Sequence, residues 1–451
     1  MNCLLLLTLT VQAQQKPNVI FILADDLGYG DLGCYQQQFA KTPHLDGLAR
    51  DGMRFTQAYA GAPVCAPSRS ALMTGKHTGH TYIRGNFGPD KKRVSFPDSV
   101  FTMAELFRAQ GYATGLFGKW GLGAKGSAGT PNKQGFDDFA GYLDQAHAHD
   151  YYPDFLNLNE TEVRLPENAN GQKATFSADW TFNRLKSFVE ANARKPFFVY
   201  FATTLPHDKY QMPVRPEYRD KPWPEGQKIY ASMITHLDEQ VGQLRQLLAR
   251  LGLEDNTLLI FTSDNGPATL PAHGPESPAV NAAYFHSAGP LRGIKRDPYE
   301  GGIRVPMLVY WKNKIPKGSQ QETPCAFWDF MPTFADLTGY RPKLATDGIS
   351  LLPLLLGKPA PQSERPLYWE FHLEGDNEPR DVRQSLRLGR WKAIRHGLLQ
   401  PTELYDLQAD LSEKKNVAAQ FPDVTQKLTQ LLNTSRTDSP FWPLQPVNTG
   451  R

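Results

Sequence analysis

Three unbroken apolar runs limit what this chain can fold into: residues 18–23 (NVIFIL), 197–201 (FFVYF) and 257–261 (TLLIF). A strand with one wet face alternates apolar and polar residues, so a run without alternation needs cover on both faces. Amphipathic stretches lie between them. Residues 44–50 and 100–110 read as helices, the second stopping at Gly111, and the row Ile234, Leu237, Val241, Leu244, Leu248 and Leu251 marks a long helix that stops at Gly252. Residues 53–59 and 112–117 add further extended segments. Strands alternating with helices predict an α/β fold, a large, mostly parallel sheet sandwiched by helices, over residues 14–340. From 341 to 451 the texture changes. Residues 367–371, 385–394 and 403–407 read as short strands and 424–432 as a closing helix, which predicts a smaller α+β subdomain with an antiparallel sheet. Residues 437–451 read as a loosely packed tail.

At 451 residues the chain exceeds what one core usually supports, in keeping with a large domain and a smaller one. A net charge of +3 gives no overall field for a polyanion, so nucleic acid is not an expected partner. Residues 4–11 form an apolar run too short to span a bilayer, and Val11-Gln12-Ala13 suits signal peptidase. Residues 1–13 therefore read as an export signal, although no Lys or Arg precedes the run, and the expected location is periplasmic or secreted. No membrane span is expected. Removing the signal would leave Cys34, Cys65 and Cys325, an odd number that cannot all pair with one another.

Two acidic clusters, Asp25-Asp26 and Asp264-Asn265, follow predicted strands. In an open α/β sheet the crevice beyond the carboxyl ends of the strands is where ligands bind. Three carboxylates gathered there would repel one another without a cation. Oxygen ligands that include an amide point to calcium, with magnesium second. Taken singly, each cluster would sooner be read as starting a turn or capping a helix.

The stretch VCAPSRSALMTG (64–75) matches the C-x-P-S-R-x-x-L-x-T-G signature of the type I sulfatases, and the chain resembles that family over nearly its whole length. Further matches are residues 18–35 (NVIFILADDLGYGDLGCY), GKWGLG (118–123), LPH (205–207), SDNG (263–266), LRGIKRDPYEGGIRVP (291–306) and ELYDLQADLSEKKNV (403–417). The resemblance implies an alkaline phosphatase-like fold, a sulfatase domain over 14–340 and hydrolysis of sulfate esters. It also implies a maturase that oxidises Cys65 to formylglycine. A hydrated aldehyde offers one hydroxyl to attack sulfur and a second whose deprotonation expels sulfate by C–O cleavage. By the same resemblance Asp25, Asp26, Asp264, Asn265 and an oxygen of modified Cys65 hold calcium. Arg69, Lys119 and Lys295 neutralise the sulfuryl oxygens, and His207 or Lys295 protonates the leaving alcohol.

One position departs from the pattern. Many relatives read G-K-W-H-L-G where this chain has Gly121, so a proton-transferring imidazole is missing. His147 and His149, in QAHAHDYYP, could replace it or could belong to an ordinary surface loop. His77, Arg84 and Asn86, the pair His147 and His149, and His372 in YWEFHLEG are candidate sugar contacts, because aromatic and hydrogen-bonding side chains suit sugar faces and hydroxyls. The expected substrate is a sulfated carbohydrate attacked at its end, with a lean towards galactose or N-acetylgalactosamine. The alternatives are a phosphodiesterase or phosphonate monoester hydrolase of the same superfamily, and a catalytically silent glycan-binding homologue.

Overall fold

The computed structural model of the chain describes residues 16–88, 92–272, 277–359, 364–372 and 382–444. The expected export signal lies outside them. Five parallel strands form the centre of the main sheet: β8 (Thr257–Ser263), β1 (Asn18–Ala24), β7 (Phe197–Ala202), β3 (Ala113–Lys119) and β4 (Asp138–Tyr142), in that spatial order. Beyond β4 lies an antiparallel hairpin, β5 (Phe155–Leu158) and β6 (Thr161–Arg164). At the other side β9 (Arg304–Tyr310) runs antiparallel between β8 and β2 (Met53–Tyr59), and β2 pairs with the short strands β10 (Ser319–Gln321) and β11 (Cys325–Ala326). The parallel expectation thus holds at the centre, and both margins carry antiparallel strands.

Strand β1 shows why its run lacks polar residues. Val19, Phe21 and Leu23 point into one core, with Leu72 of α2 (Cys65–Thr74), Phe107 of α3 (Met103–Ala109) and Phe334 of α6 (Phe330–Thr338). Ile20, Ile22 and Ala24 point into the other, with Leu48 of α1 (Pro43–Asp51), Leu185 of α4 (Ser177–Ala191) and Ile234 of α5 (Glu225–Arg250). The period-two alternation of a strand therefore feeds two helical layers at once. Each large side chain so buried contributes roughly 1.5–3 kcal/mol.

A separate antiparallel sheet, β12 (Leu367–His372), β13 (Val382–Leu388), β14 (Trp391–His396) and β15 (Glu403–Asp406), packs against α7 (Pro422–Thr434). The single strand expected over 385–394 is two, because Gly389 takes a positive φ of 57° and turns the chain back into a hairpin. The tail reading is also corrected for residues 437–444. Trp442 is buried, its indole N–H donates to the Tyr82 carbonyl, and Arg84 donates to the Thr437 carbonyl.

Buried charges join the two sheets. Lys392 of β14 lies 2.9 Å from Glu300 and 3.1 Å from Glu413, all three fully buried. Arg304 and the Tyr59 hydroxyl also bind Glu300, and Arg387 donates to that hydroxyl. Among the described residues no helix is long and apolar enough to cross a membrane.

Candidate active site

Parallel pairing puts the carboxyl ends of β8, β1, β7 and β3 side by side, and each delivers polar groups to one place. Asp264 and Asn265 follow β8, Asp25 and Asp26 follow β1, His207 lies on the turn after β7, and Lys119 is the last residue of β3. Cys65 opens helix α2, with its Sγ 3.4 Å from Asp25 Oδ1 and the residue only 2% exposed.

The carboxylates are held by three cations. Lys119 Nζ lies 2.7 Å from Asp25 Oδ2, and Lys295 Nζ lies 2.7 Å from Asp26 Oδ2. Arg69, one turn into α2, donates twice to Asp264 Oδ2, at 2.7 and 3.0 Å, and once to the Lys119 carbonyl, and lies 3.3 Å from Asp25. Arg69, like Lys119 and Lys295, also reaches Cys65 with its charge. Its fork is committed to Asp264 and Asp25 deep in the protein, so it aligns the carboxylates. Burial alone would raise the Asp25 pKa, but Lys119, His207 and Arg69 outweigh it and hold that carboxyl well below its usual range. Burial is the largest influence on Lys119 and lowers its pKa, but Asp25, Cys65 and Asp264 together outweigh it and raise the pKa, so the ammonium stays charged. Asp264, which shares Arg69 with Asp25, is pushed up by burial and by its neighbour's charge.

That residual strain suits a further cation. Asn265 donates its amide N–H to Asp26 Oδ1 at 2.7 Å, while its own Oδ1 is buried with no hydrogen-bond partner among the described residues. Ligand atoms of Asp25, Asp26, Cys65 and His207 all lie within 4.8 Å of one another. A buried amide oxygen left without a donor beside crowded carboxylates is the donor set of a hard, oxygen-seeking ion. Asp25, Asp26, Asp264 and Asn265 thus fit calcium or magnesium.

His207 is oriented by its neighbour in sequence. Its Nδ1 lies 2.6 Å from the Asp208 carbonyl and 2.7 Å from Asp208 Oδ1, so Nδ1 holds a proton. Although burial and Lys295 lower the ring's pKa, Asp26 and Asp25 outweigh them and raise it well above its usual value, which leaves an imidazolium with a second proton on Nε2. Nε2 is turned to Lys295, 3.1 Å away, and to Asp26, 3.4 Å away. Asp208 also pairs with His149 Nδ1 at 3.2 Å, and the His149 ring meets His207 edge to face at 4.5 Å. Burial opposes ionisation of Asp208, but the two imidazoles outweigh it and its pKa is lowered. Asp208 was not identified from the sequence, although it directly follows His207.

Gly121 is likewise accounted for. It takes a φ of 75°, and a Cβ there would come within 2.7 Å of Gln145 Cγ and 2.8 Å of its Nε2. The Gln145 side chain fills the space over residue 121, a second feature the sequence did not reveal. Of the two candidate histidines the structure brings His149 to His207. His147 is turned away and packs between Tyr142, at 5.0 Å, and Phe155, at 4.4 Å.

The other sugar-contact candidates separate. Asn86 stands beside the nucleophile position, its Oδ1 accepting the Ala66 N–H at 3.3 Å. His77 lies past the opposite end of α2 from Cys65, packed against His80, Trp328 and Tyr368 and close to Asp347. Arg84 and His372 are committed to buried Glu370, each at 3.1 Å, and Arg436 completes that network at 2.9 Å. These three are corrected as sugar contacts. A carboxylate taken out of water requires partners, and Arg84 and His372 meet that need.

A family profile described as "Sulfatase" matches residues 17–340, and one described as "N-sulphoglucosamine sulphohydrolase, C-terminal" matches residues 294–438. The chain is 31% identical to an N-acetylgalactosamine-6-O-sulfatase of Bacteroides thetaiotaomicron, with 94% of each protein aligned. It is 32% identical to arylsulfatase A of Homo sapiens over 95% of this chain and 90% of that protein. Among solved structures, Ps i-CgsB in complex with k-i-k-neocarrahexaose superimposes with a TM-score of 0.80 at 29% identity, covering 96% of this chain and 95% of the other.

Proposed function

Starting from the fact that the chain belongs to the sulfatase family and is a sulfuric ester hydrolase, we propose that it removes sulfate from the end of a sulfated carbohydrate, with galactose or N-acetylgalactosamine as the sulfated sugar. The observation that carries this reading is the convergence on Cys65 of Asp25, Asp26, Lys119 and His207, at or just after the ends of adjacent strands, with Lys295 from the loop before β9. The relative named N-acetylgalactosamine-6-O-sulfatase and the solved neighbour holding a neocarrahexaose support the carbohydrate class. The apolar run at residues 4–11 supports export, with action in the periplasm or outside the cell.

In this reading Cys65 is oxidised by a maturase to formylglycine, whose hydrated aldehyde would supply the nucleophilic oxygen at the thiol's position. A calcium ion held by Asp25, Asp26, Asp264 and Asn265 would supply positive charge there and favour the ionised nucleophile. The remaining work belongs to the chain's own side chains. Lys119 and Lys295 place two ammonium groups beside residue 65, where they attract the sulfuryl oxygens and stabilise the charge that grows on them. Arg69 keeps Asp25 and Asp264 aligned. His207 gives a proton from Nε2 to the departing sugar oxygen, with Asp208 holding Nδ1 and His149 bracing Asp208 from the other side. Lys295 Nζ, 3.1 Å from that Nε2, is the second proton source within reach.

The test is turnover of 6-sulfated galactose and 6-sulfated N-acetylgalactosamine by protein produced with a maturase, measured as free sulfate. Release from either supports the reading. Hydrolysis of an aryl sulfate with neither sugar accepted would confine the enzyme to another sulfate ester.

A further inference from the structure

Next to the acidic centre lies a second cavity of about 210 Å³, between the loop after β3 and the β5–β6 hairpin. Two chain segments tie it to the centre. Gly121 is on its wall two residues beyond Lys119, and the segment that lines it with Asp144 and His147 continues to His149, which touches His207. Gln145, between these two residues, fills the space over Gly121.

The lining has a definite chemistry. Its floor is aromatic: the His147 ring stands 4.4 Å from Phe155, tilted by 32°. Burial lowers the His147 pKa, which keeps that ring neutral near pH 7. The rim is polar, and its cations are already matched. Arg93 pairs with Asp144 at 2.9 Å and Lys125 with Glu162 at 2.8 Å, leaving Asn157 and Ser95 as uncharged hydrogen-bonding groups. An anionic group entering here would meet two carboxylates for two cations. A sugar ring without charge would set its C–H groups against the edges of Phe155 and His147, whose faces already meet each other, Arg164 and Tyr142, and give its hydroxyl protons to Asp144, Glu162 and Asn157. The volume is below the roughly 300–1,000 Å³ of pockets that enclose drug-sized ligands, which limits the occupant to one ring.

We propose that this cavity is a subsite for a single uncharged sugar residue adjoining the sulfated one, so that the enzyme reads two consecutive units of its glycan. This rests on the carbohydrate reading of the main site. The subsite explains why aromatic and polar side chains from β5 and the 143–149 segment face a small cavity beside a site whose own chemistry needs neither.

Three substrates test it: N-acetylgalactosamine 6-sulfate alone, the same sugar linked to galactose, and the same sugar linked to glucuronic acid. The expected result is a kcat/KM at least tenfold higher for the galactose-linked disaccharide than for the other two. Phe155→Ala and Asn157→Ala should each bring that ratio towards one, with thermal unfolding showing that the variants are folded. Equal kcat/KM for all three substrates, preference for the uronate, or a ratio that survives both substitutions would overturn the subsite. Turnover of an aryl sulfate with none of the three sugars accepted would overturn the carbohydrate reading and the subsite together.

Discussion

Lys295 Nζ and His207 Nε2 face each other at 3.1 Å, and each is also near Asp26 Oδ2. Two proton donors thus converge beside Cys65, and the fold distinguishes them. His207 is braced at Nδ1 by Asp208, whereas Lys295 is anchored by its charge to a carboxylate expected to bind metal.

His207→Ala should therefore lower kcat on an alkyl or sugar sulfate by roughly 10²–10⁴-fold, the usual worth of a positioned acid. Nitrophenyl sulfate, whose leaving group departs as a stable anion, should lose much less. Comparing kcat for the two substrate types checks this. An equal loss on both would move the acid role from His207 to another group.

Divalent metal should be required. Dialysis against a chelator should abolish turnover and lower the melting temperature, and added calcium should restore both, because an ion bound only by the folded state stabilises it. Asn265→Ala removes the amide oxygen that has no donor among the described residues, and should raise the calcium concentration needed for half-recovery. Atomic emission analysis of active protein provides the direct check.

Much of this centre is legible in the sequence because strand ends bear it. Asp25 and Asp26 follow the first apolar run after Ala24, Asp264 and Asn265 follow the third after Thr262-Ser263, and parallel pairing makes neighbours of the residues at the carboxyl ends of such runs. Cys65 and Arg69 share one helical turn. Asp208 and Gln145 are not legible, because their roles depend on how two loops meet. His77, Arg84 and His372 look the same in sequence whether they line a sugar pocket or satisfy buried carboxylates, and only the structure shows Glu370 and Asp347 among their partners. The turn at Gly389 is marked in the sequence by a slip in phase, since apolar Leu386 and Leu388 are followed by Trp391 and Ala393 across Gly389-Arg390.

Lys392→Met should destabilise the protein by about 3–5 kcal/mol, since it leaves Glu300 and Glu413 buried without their shared cation. Denaturant unfolding of the variant measures this. A loss within about 0.5 kcal/mol, the range of ordinary surface changes, would mean the buried cluster does not join the two sheets energetically.

His77 should make the fold acid-sensitive well away from the active site. Burial lowers its pKa to about 4, against about 6.5 in an unfolded chain, with Asp347 and Glu370 opposing the shift and His80 and Arg84 adding to it. Between these values the unfolded state binds a proton that the folded state does not. Stability is therefore full above pH 6.5 and falls as pH drops towards 4, by about 3 kcal/mol at most. Unfolding free energies across that window should fall less steeply for His77→Gln than for the parent, and parallel curves would remove His77 as the cause.

The folded helix buries Cys65, Pro67 and Arg69, so the modifying enzyme should act on them before folding is complete. The most direct test of the whole account is the mass of the peptide containing residue 65, taken from protein preparations of measured sulfatase activity. The account predicts an aldehyde or its hydrate at that position, in a fraction that rises in proportion to specific activity across preparations made with and without a maturase. Full activity in a preparation whose residue 65 is wholly thiol would contradict it.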